Sequence, residues 1–230
     1  MGAVFFETIM ETYSEQTVDF LWSLRLNNSR EWFQAHKGEY EALMLRPTKA
    51  LANSLYDHVA DTFPKHSWHL HISRIYRHAR RLYGRGPMND HLWFTLFADQ
   101  KEDGAPAFYF SFFPEGYHYG LGFWSSHNVL MDRFRAQVAK DPAPAEKLAR
   151  RFHRQDTFTL DGEPYKKHKM LTTPLLQDWV DRKYLGFICQ HEHDALGFSE
   201  DLGRVVSEGF DFLMPYHDYF LTLPELEETV

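Results

Sequence analysis

The stretch PAFYFSFFPEGYHYGLGFW, residues 106–124, decides the fold class of this chain. Its first half is dense in Phe and Tyr, and in its second half large residues alternate with small or polar ones, which is typical of β-strands. Pro114-Glu115-Gly116 places proline second and glycine fourth in a tight turn between the halves. The stretch is therefore predicted to form a β-hairpin. Glycines at 120 and 122 would let a neighbouring group pack closely against the second strand.

Further strand-like segments lie on both sides of this hairpin. Alternation and β-prone composition predict strands at residues 68–72, 92–98, 157–160 and 184–189. They cluster between two helical regions instead of alternating with single helices, which favours an antiparallel sheet over a doubly wound one. The chain is predicted to be α+β: a single domain over residues 17–223 with a mainly antiparallel sheet packed against helices. Residues 1–16 are predicted as an N-terminal extension and residues 224–230 as an acidic tail.

The helical segments carry start and stop signals. Thr17 is predicted as the N-cap of a first helix and Ser29 as the N-cap of a second, because their hydroxyls can accept from backbone N–H groups in the first turn. Pro47 suits the first turn of a third helix. Ser199 is predicted to open the last helix and Pro215 to stop it, since proline lacks the N–H that continues a helix.

The composition excludes some classes of protein and site. The formal net charge is −7, which argues against a nucleic-acid binder unless basic residues gather on one face. Cys189 is the single cysteine, so neither an intrachain disulfide nor a zinc site made of cysteines can form, and a cytoplasmic location is expected. No segment approaches the ~18 apolar residues of a membrane span. The N-terminus contains Glu7 and Glu11 and lacks a basic start, so no secretory signal is expected.

An arginine-rich segment is the first candidate site. Residues 74–85, RIYRHARRLYGR, hold five arginines in an otherwise acidic chain. Guanidinium groups bind carboxylates and phosphates in bidentate fashion, so Arg74, Arg77 and Arg80 are candidate ligands of a small anion. The alternative is that these arginines form ion pairs with the many Asp and Glu residues of the same chain.

A second candidate lies at the junction of the first two predicted helices. Asn28 and Trp32 could hold a polar ligand beside Lys37. The alternative is a helical corner in which Ser29 caps the second helix and Trp32 belongs to the core. The capping alternative explains most of this segment.

Histidines form three groups of candidate metal ligands. The groups are His66 with His69 and His71, His191 with His193, and His217 with Asp218. None of them matches a fixed metal-ligand motif, and a metal site needs three or four converging ligands. The sequence therefore predicts no metal site and no cofactor.

The order of motifs resembles the bacterial and fungal family known as domain of unknown function 2461. The resemblance spans residues 17–223 and is carried by the Asn-Asn-x-Arg-x-Trp-Phe segment at residues 27–33 with Lys37 and Tyr40, by Arg74-Ile75-Tyr76-Arg77 with Arg80, by the aromatic and glycine-rich strands at 108–124, by Arg133, by Leu185 to Cys189, and by Pro215-Tyr216. The chain departs from the family pattern where His78 replaces an acidic residue and where residues 83–89 replace a lysine-rich run. The resemblance implies the α+β fold and no particular reaction.

These observations lead to one functional expectation and two alternatives. We expect a pocket that binds a small anionic molecule through Arg74, Arg77 and Arg80, with Asn28 and Trp32 nearby and with catalysis an open question. The first alternative is a protein-interaction module that uses an aromatic surface. The second is a metal-dependent hydrolase. The sequence does not determine the oligomeric state.

Overall fold

The computed structural model describes residues 11–78, 86–98, 105–123 and 129–224. The described strands form one antiparallel sheet of six strands in the order β1-β2-β3-β4-β6-β5. The strands are β1 (Trp68–Ile72), β2 (Leu92–Ala98), β3 (Pro106–Phe113), β4 (Gly116–Phe123), β5 (Thr159–Asp161) and β6 (Gly186–Glu192). The predicted α+β class with an antiparallel sheet is confirmed.

The hairpin predicted at residues 106–124 is confirmed over residues 106–123 as β3 and β4, and residue 124 lies outside the described residues. Phe108, Phe110 and Phe112 alternate with smaller or more polar residues and are fully buried. Gly120 lies where β4 meets β6, and a Cβ atom there would come within 1.8 Å of the Phe187 carbonyl oxygen. The close approach expected at this glycine is therefore an approach of the neighbouring strand.

Of the described helices, four precede the first strand in the chain, three lie between β4 and β6, and one follows the last strand. They are α1 (Glu15–Leu26), α2 (Arg30–Ala35), α3 (Lys37–Tyr40), α4 (Arg46–Thr62), α5 (Val129–Lys140), α6 (Ala143–Phe152), α7 (Pro174–Val180) and α8 (Leu202–Leu221), with a π-helical turn at Glu41–Leu45 between α3 and α4. Ser29 caps α2 as predicted, since its Oγ accepts from Trp32 N–H at 3.1 Å. Pro47 lies in the first turn of α4, also as predicted.

The N-cap predicted for α1 is wrong. Ser14 is the N-cap, and Thr17 is a buried residue of the first turn. The Thr17 hydroxyl donates to the Leu43 carbonyl at 2.9 Å and accepts from Ser14 N–H at 3.0 Å. The helix therefore starts earlier because a tertiary contact, which local sequence does not show, engages the hydroxyl of Thr17.

The stop predicted at Pro215 is also wrong, because α8 continues through it to Leu221. Proline inside a helix costs ~3 kcal/mol through its missing N–H and its ring. The following turn, however, places Tyr216, His217 and Phe220 at 0–1% exposure. Burying large side chains contributes ~1.5–3 kcal/mol each, so burial offsets the cost of the proline.

The core lies between the sheet and the helices α4 and α8. Phe210 stacks on Phe108 of β3 with ring centroids 4.7 Å apart, which fixes α8 against the sheet. Tyr13 precedes the predicted start of the domain, yet it is 3% exposed and stacks on Phe112 at 4.0 Å. Its hydroxyl is within 2.8 Å of Thr48 Oγ1, and burial raises the pKa of Tyr13 far above its ordinary value. The described fold therefore includes residues before 17.

Among the described helices, none has the length and apolar character that crossing a membrane requires.

Candidate functional site

Asn28, one of the predicted site residues, holds the backbone of Met88. Its Nδ2 donates to the Met88 carbonyl and its Oδ1 accepts from Met88 N–H, both at 2.9 Å. A Cβ atom at Gly86 would lie 2.2 Å from the Asn28 side chain. The space that the glycine leaves is therefore filled by Asn28, and this amide has a structural partner.

Arg77 meets the same backbone segment from the other side. Its Nε donates to the Met88 carbonyl at 2.8 Å, and its backbone N–H donates to the Pro87 carbonyl at 2.8 Å. Residues 75–77 and 87–89 thus form a short antiparallel ribbon, with an isolated bridge between Tyr76 and Met88. Asn28 and the Arg77 side chain both hold this ribbon in place.

A charged network continues from the ribbon to the β3–β4 turn. Arg25 contacts Asp90 at 2.5 Å and forms a close pair with Glu115, while Arg77 Nη2 lies 3.6 Å from Asp90. The hydrogen bond with His91, and next the one from Arg25, hold the pKa of Asp90 well below its ordinary value. Arg25 likewise lowers the pKa of Glu115. These two arginines are therefore engaged with carboxylates of the chain itself.

The remaining predicted site residues do not join this cluster. Arg74 is exposed, and Arg80 lies outside the described residues. Trp32 stacks on His36 with ring centroids 4.0 Å apart and lines a separate groove of about 700 Å³ that also contains Asp19 and Glu39. An anion is disfavoured beside two carboxylates. The structure thus brings Asn28 and Arg77 together at Met88 and places Trp32 elsewhere.

The three histidine groups are rearranged by the fold. His69 and His71 lie against Phe97 and Trp93, on the face of β1 opposite the core. His191 Nε2 is 3.2 Å from Cys189 Sγ, at the partly exposed end of β6. Burial raises the pKa of the Cys189 thiol, which is 5% exposed and packs as a small apolar residue.

His193 points back to the hairpin turn, where its Nε2 is 3.0 Å from the Phe113 carbonyl oxygen. His66 does not lie with His69 and His71 but beside His217 and Asp218. One ligand atom from each of these three residues lies within 4.8 Å of the others. This trio combines members of two sequence groups and could hold a metal ion.

A groove between α6 and α8 forms a further concave surface. Its volume is about 890 Å³. Leu148, Phe212, Pro215 and Tyr219 give it an apolar floor. Burial raises the pKa of Tyr219 to about 12, so its hydroxyl stays protonated at neutral pH. That hydroxyl is buried without a hydrogen-bond partner in the described part of the chain.

Four cationic residues of the α6 region line this groove. They are Lys147, Arg150, Arg151 and Arg154. Arg150 pairs with Glu146 at 2.6 Å, whereas the side chains of the other three form no ion pair with a described residue. Arg151 lies over the Phe212 ring, 4.5 Å from its centroid, and 5.9 Å from that of Tyr216. A cation on an aromatic face is held without using its N–H groups, so these groups remain available to a ligand.

The sequence model of one protein family, described as a conserved hypothetical protein, matches residues 16–219. This chain belongs to the domain of unknown function 2461 family. The match runs from the first turn of α1 into the last turn of α8, so the family signature and the described fold coincide. No curated protein matches the chain with significance.

Two segments that the sequence analysis singled out meet at the Met88 ribbon. The Asn-Asn-x-Arg-x-Trp-Phe segment supplies Asn28, and the Arg-Ile-aromatic-Arg segment supplies Arg77. The groove residues, by contrast, were missed by sequence reasoning. A signal existed, since Lys147 and Arg151 lie one helical turn apart on α6 and Arg154 follows three residues later, just past the end of the helix.

Proposed function

We propose that the protein binds a small molecule with an anionic group and a flat apolar portion in the groove between α6 and α8. The observation that carries this proposal is that Lys147, Arg151 and Arg154 line an apolar floor without forming ion pairs to described residues. A protein of net charge −7 has ample carboxylates to neutralise these cations internally. Their availability at one concave surface therefore favours an external anion.

The dimensions and chemistry of the groove suit such a ligand. Small-molecule sites are typically ~300–1,000 Å³, largely apolar, with a few polar groups that fix orientation. The groove volume of about 890 Å³ falls in this range. Guanidinium forks match the oxygens of a carboxylate or a phosphate, and the floor formed by Phe212 and Tyr219 suits a planar group.

Three matched probes test this proposal by thermal unfolding: phenyl phosphate, inorganic phosphate and phenol. We expect phenyl phosphate to raise the unfolding midpoint most, because only this probe contacts both the cations and the floor. At ~100 times its Kd a ligand adds ~2.7 kcal/mol to the stability of the native state. For a chain of this length that corresponds to a shift of ~5–10 °C.

The variants Lys147→Ala and Arg154→Ala separate binding from folding. Both side chains are exposed and unpaired with described residues, so each variant should unfold within about 0.5 kcal/mol of the wild type when no probe is present. The shift caused by phenyl phosphate should fall in both. Arg204→Ala is the matched control, because Arg204 is an exposed arginine of α8 that already pairs with Asp201 and Glu208. An equal shift in all variants would refute the groove as the binding site.

A protein-interaction surface on α1 is the second candidate. Trp22 and Leu26 are 40% and 79% exposed one helical turn apart, beside the paired guanidinium of Arg25. Paired arginines next to exposed apolar side chains suit a contact with another protein. Sedimentation of the wild type and of Leu26→Asp tests self-association through this face, and identical concentration dependence would argue against it.

Three sequence-based expectations remain proposals beside these. The arginine-rich segment keeps the exposed Arg74 as a candidate for anion binding, with Arg80 outside the described residues. The single cysteine supports a cytoplasmic location. The net charge of −7 supports a protein that does not bind nucleic acid.

A further inference from the structure

Three side chains that can bind a metal meet where the last turns of α8 pass the connection between α4 and β1. His66 comes from that connection, and His217 and Asp218 come from α8. His66 Nε2 is 2.8 Å and His217 Nδ1 is 3.3 Å from the same oxygen of Asp218, Oδ1. Ligand atoms from the three residues lie within 4.8 Å of one another, which is the spacing of groups that can share one ion.

The surroundings of the trio favour metal-binding chemistry. His217 is fully buried, with the Trp68 and Phe108 ring centroids each 5.3 Å away. An apolar environment favours the neutral imidazole, which is the form that binds metals.

We propose that His66, His217 and Asp218 form a binding site for a divalent transition metal ion of the zinc type. Two imidazole nitrogens and one carboxylate oxygen suit zinc and its neighbours in the first transition row, whereas magnesium and calcium prefer oxygen ligands. Three protein ligands leave a fourth coordination position for water or a substrate group.

Lys65 is a surface residue next to the trio, and its replacement provides a test of this proposal. Its ammonium group forms a close pair with Asp218 Oδ2 and so supplies a positive charge beside the carboxylate. The Lys65 side chain is 60% exposed and can move into solvent. A bound divalent ion would compete with this ammonium for the charge of Asp218, so removal of Lys65 should tighten metal binding.

The site is independent of the proposed anion groove but lies next to it. Asp218 is among the residues that line the groove, so a metal ion here would add positive charge at its edge. Metal binding can be measured without any anionic probe. Failure of one proposal therefore leaves the other standing.

Calorimetric titration of protein stripped with a chelator tests the site, with Zn²⁺, Co²⁺ and Mg²⁺ as separate titrants. We expect one Zn²⁺ per chain, Co²⁺ to bind at the same site, and no comparable binding of Mg²⁺. Asp218→Asn and His66→Gln should each weaken Zn²⁺ binding at least tenfold, and Lys65→Ala should strengthen it several-fold. Circular dichroism establishes that each variant is folded.

His58→Gln is the matched control for adventitious binding by a surface histidine. His58 Nε2 lies 2.8 Å from Asp211, so this pair also joins a residue of α4 to α8, but it is not part of a described trio. The control variant should bind Zn²⁺ as the wild type does. The proposal is overturned if the wild type binds no Zn²⁺, if Asp218→Asn and His66→Gln bind it unchanged, or if Lys65→Ala leaves the affinity unchanged. The Lys65→Ala result tests the proposal even if Asp218→Asn or His66→Gln fails to fold, because Lys65 is a surface residue.

Discussion

Replacing Asn28 by alanine should destabilise the protein without affecting ligand binding in the α6–α8 groove. The amide makes two hydrogen bonds to Met88, a residue with no exposed surface. After truncation the Met88 carbonyl keeps the bond from Arg77 Nε, but the Met88 N–H loses its only acceptor found among the described residues.

The expected magnitude follows from these contacts. A buried donor left without an acceptor costs ~1–3 kcal/mol, and the lost bond to the carbonyl adds ~1 kcal/mol. Because Asn28 itself is only partly buried, water can recover some of this loss, and we expect a total of about 2–3 kcal/mol. For a chain of this length the midpoint of thermal unfolding should fall by ~4–12 °C.

Differential scanning calorimetry of Asn28→Ala and Asn27→Ala measures the effect against a neighbouring amide. Asn27 is exposed, and its side chain donates to the Ser23 carbonyl within one helix end, so its loss should cost under ~1 kcal/mol. Asn28→Asp should fall between the wild type and Asn28→Ala, because it keeps the acceptor for Met88 N–H and loses the donor. If Asn28→Ala unfolds at the same temperature as Asn27→Ala, the two hydrogen bonds from Asn28 to Met88 do not stabilise the fold and this reasoning is refuted.

Three further changes probe the scaffold. Asp90→Asn should cost ~1–3 kcal/mol of unfolding free energy at neutral pH through lost pairing with Arg25. Because the pKa of Asp90 is depressed in the native state, this difference should be present above about pH 4 and shrink as the pH falls further. Urea unfolding of both proteins at several pH values measures it. Gly86→Ala should cost ~1–3 kcal/mol by calorimetry, because its methyl group meets Asn28, and an unchanged midpoint would contradict the close packing. Pro215→Ala should stabilise α8 by ~1–2 kcal/mol by restoring a helical N–H, and lower stability would show that the proline is required for the path of the helix.

Local sequence predicted the sheet better than the helix ends. The hairpin at 106–124 and the strands at 68–72 and 92–98 follow from alternation and turn residues, which act over a few positions. The strand predicted at 184–189 instead runs from Gly186 to Glu192, because pairing with β4 extends it through the polar residues after Cys189. Strand ends set by a partner strand are not visible in local composition.

The helix ends depended on contacts with distant parts of the chain. Thr17 is a residue type that favours the N-cap position, but its hydroxyl donates a hydrogen bond to the Leu43 carbonyl. Pro215 is a residue type that usually ends a helix, but α8 continues beyond it because the next turn buries Tyr216 and Phe220. In both cases tertiary contacts outweigh a local preference of ~1–3 kcal/mol.

The candidate sites were harder to predict because they join elements that are distant in sequence. The spacing of Lys147, Arg151 and Arg154 is visible in the sequence, but most of the apolar floor comes from α8, about sixty residues later. The metal trio likewise needs His66 beside Asp218, which are 152 positions apart. Sequence patterns identified the ligand types and left their convergence open.

Measurements of stability and of ligand binding should distinguish the region around Arg77 from the groove between α6 and α8. Arg77 is 12% exposed and is engaged by the Met88 carbonyl, so its removal should affect folding first. Lys147 and Arg154 are exposed and unpaired with described residues, so their removal should affect binding alone. Side chains that can be removed without loss of stability contribute little to the fold, and such a result would support the proposed role of these cations in ligand binding. Asn28 and Arg77, which stand out in the sequence, thus hold backbone in place, while the cations proposed to bind a ligand lie on α6 and in the turn that follows it.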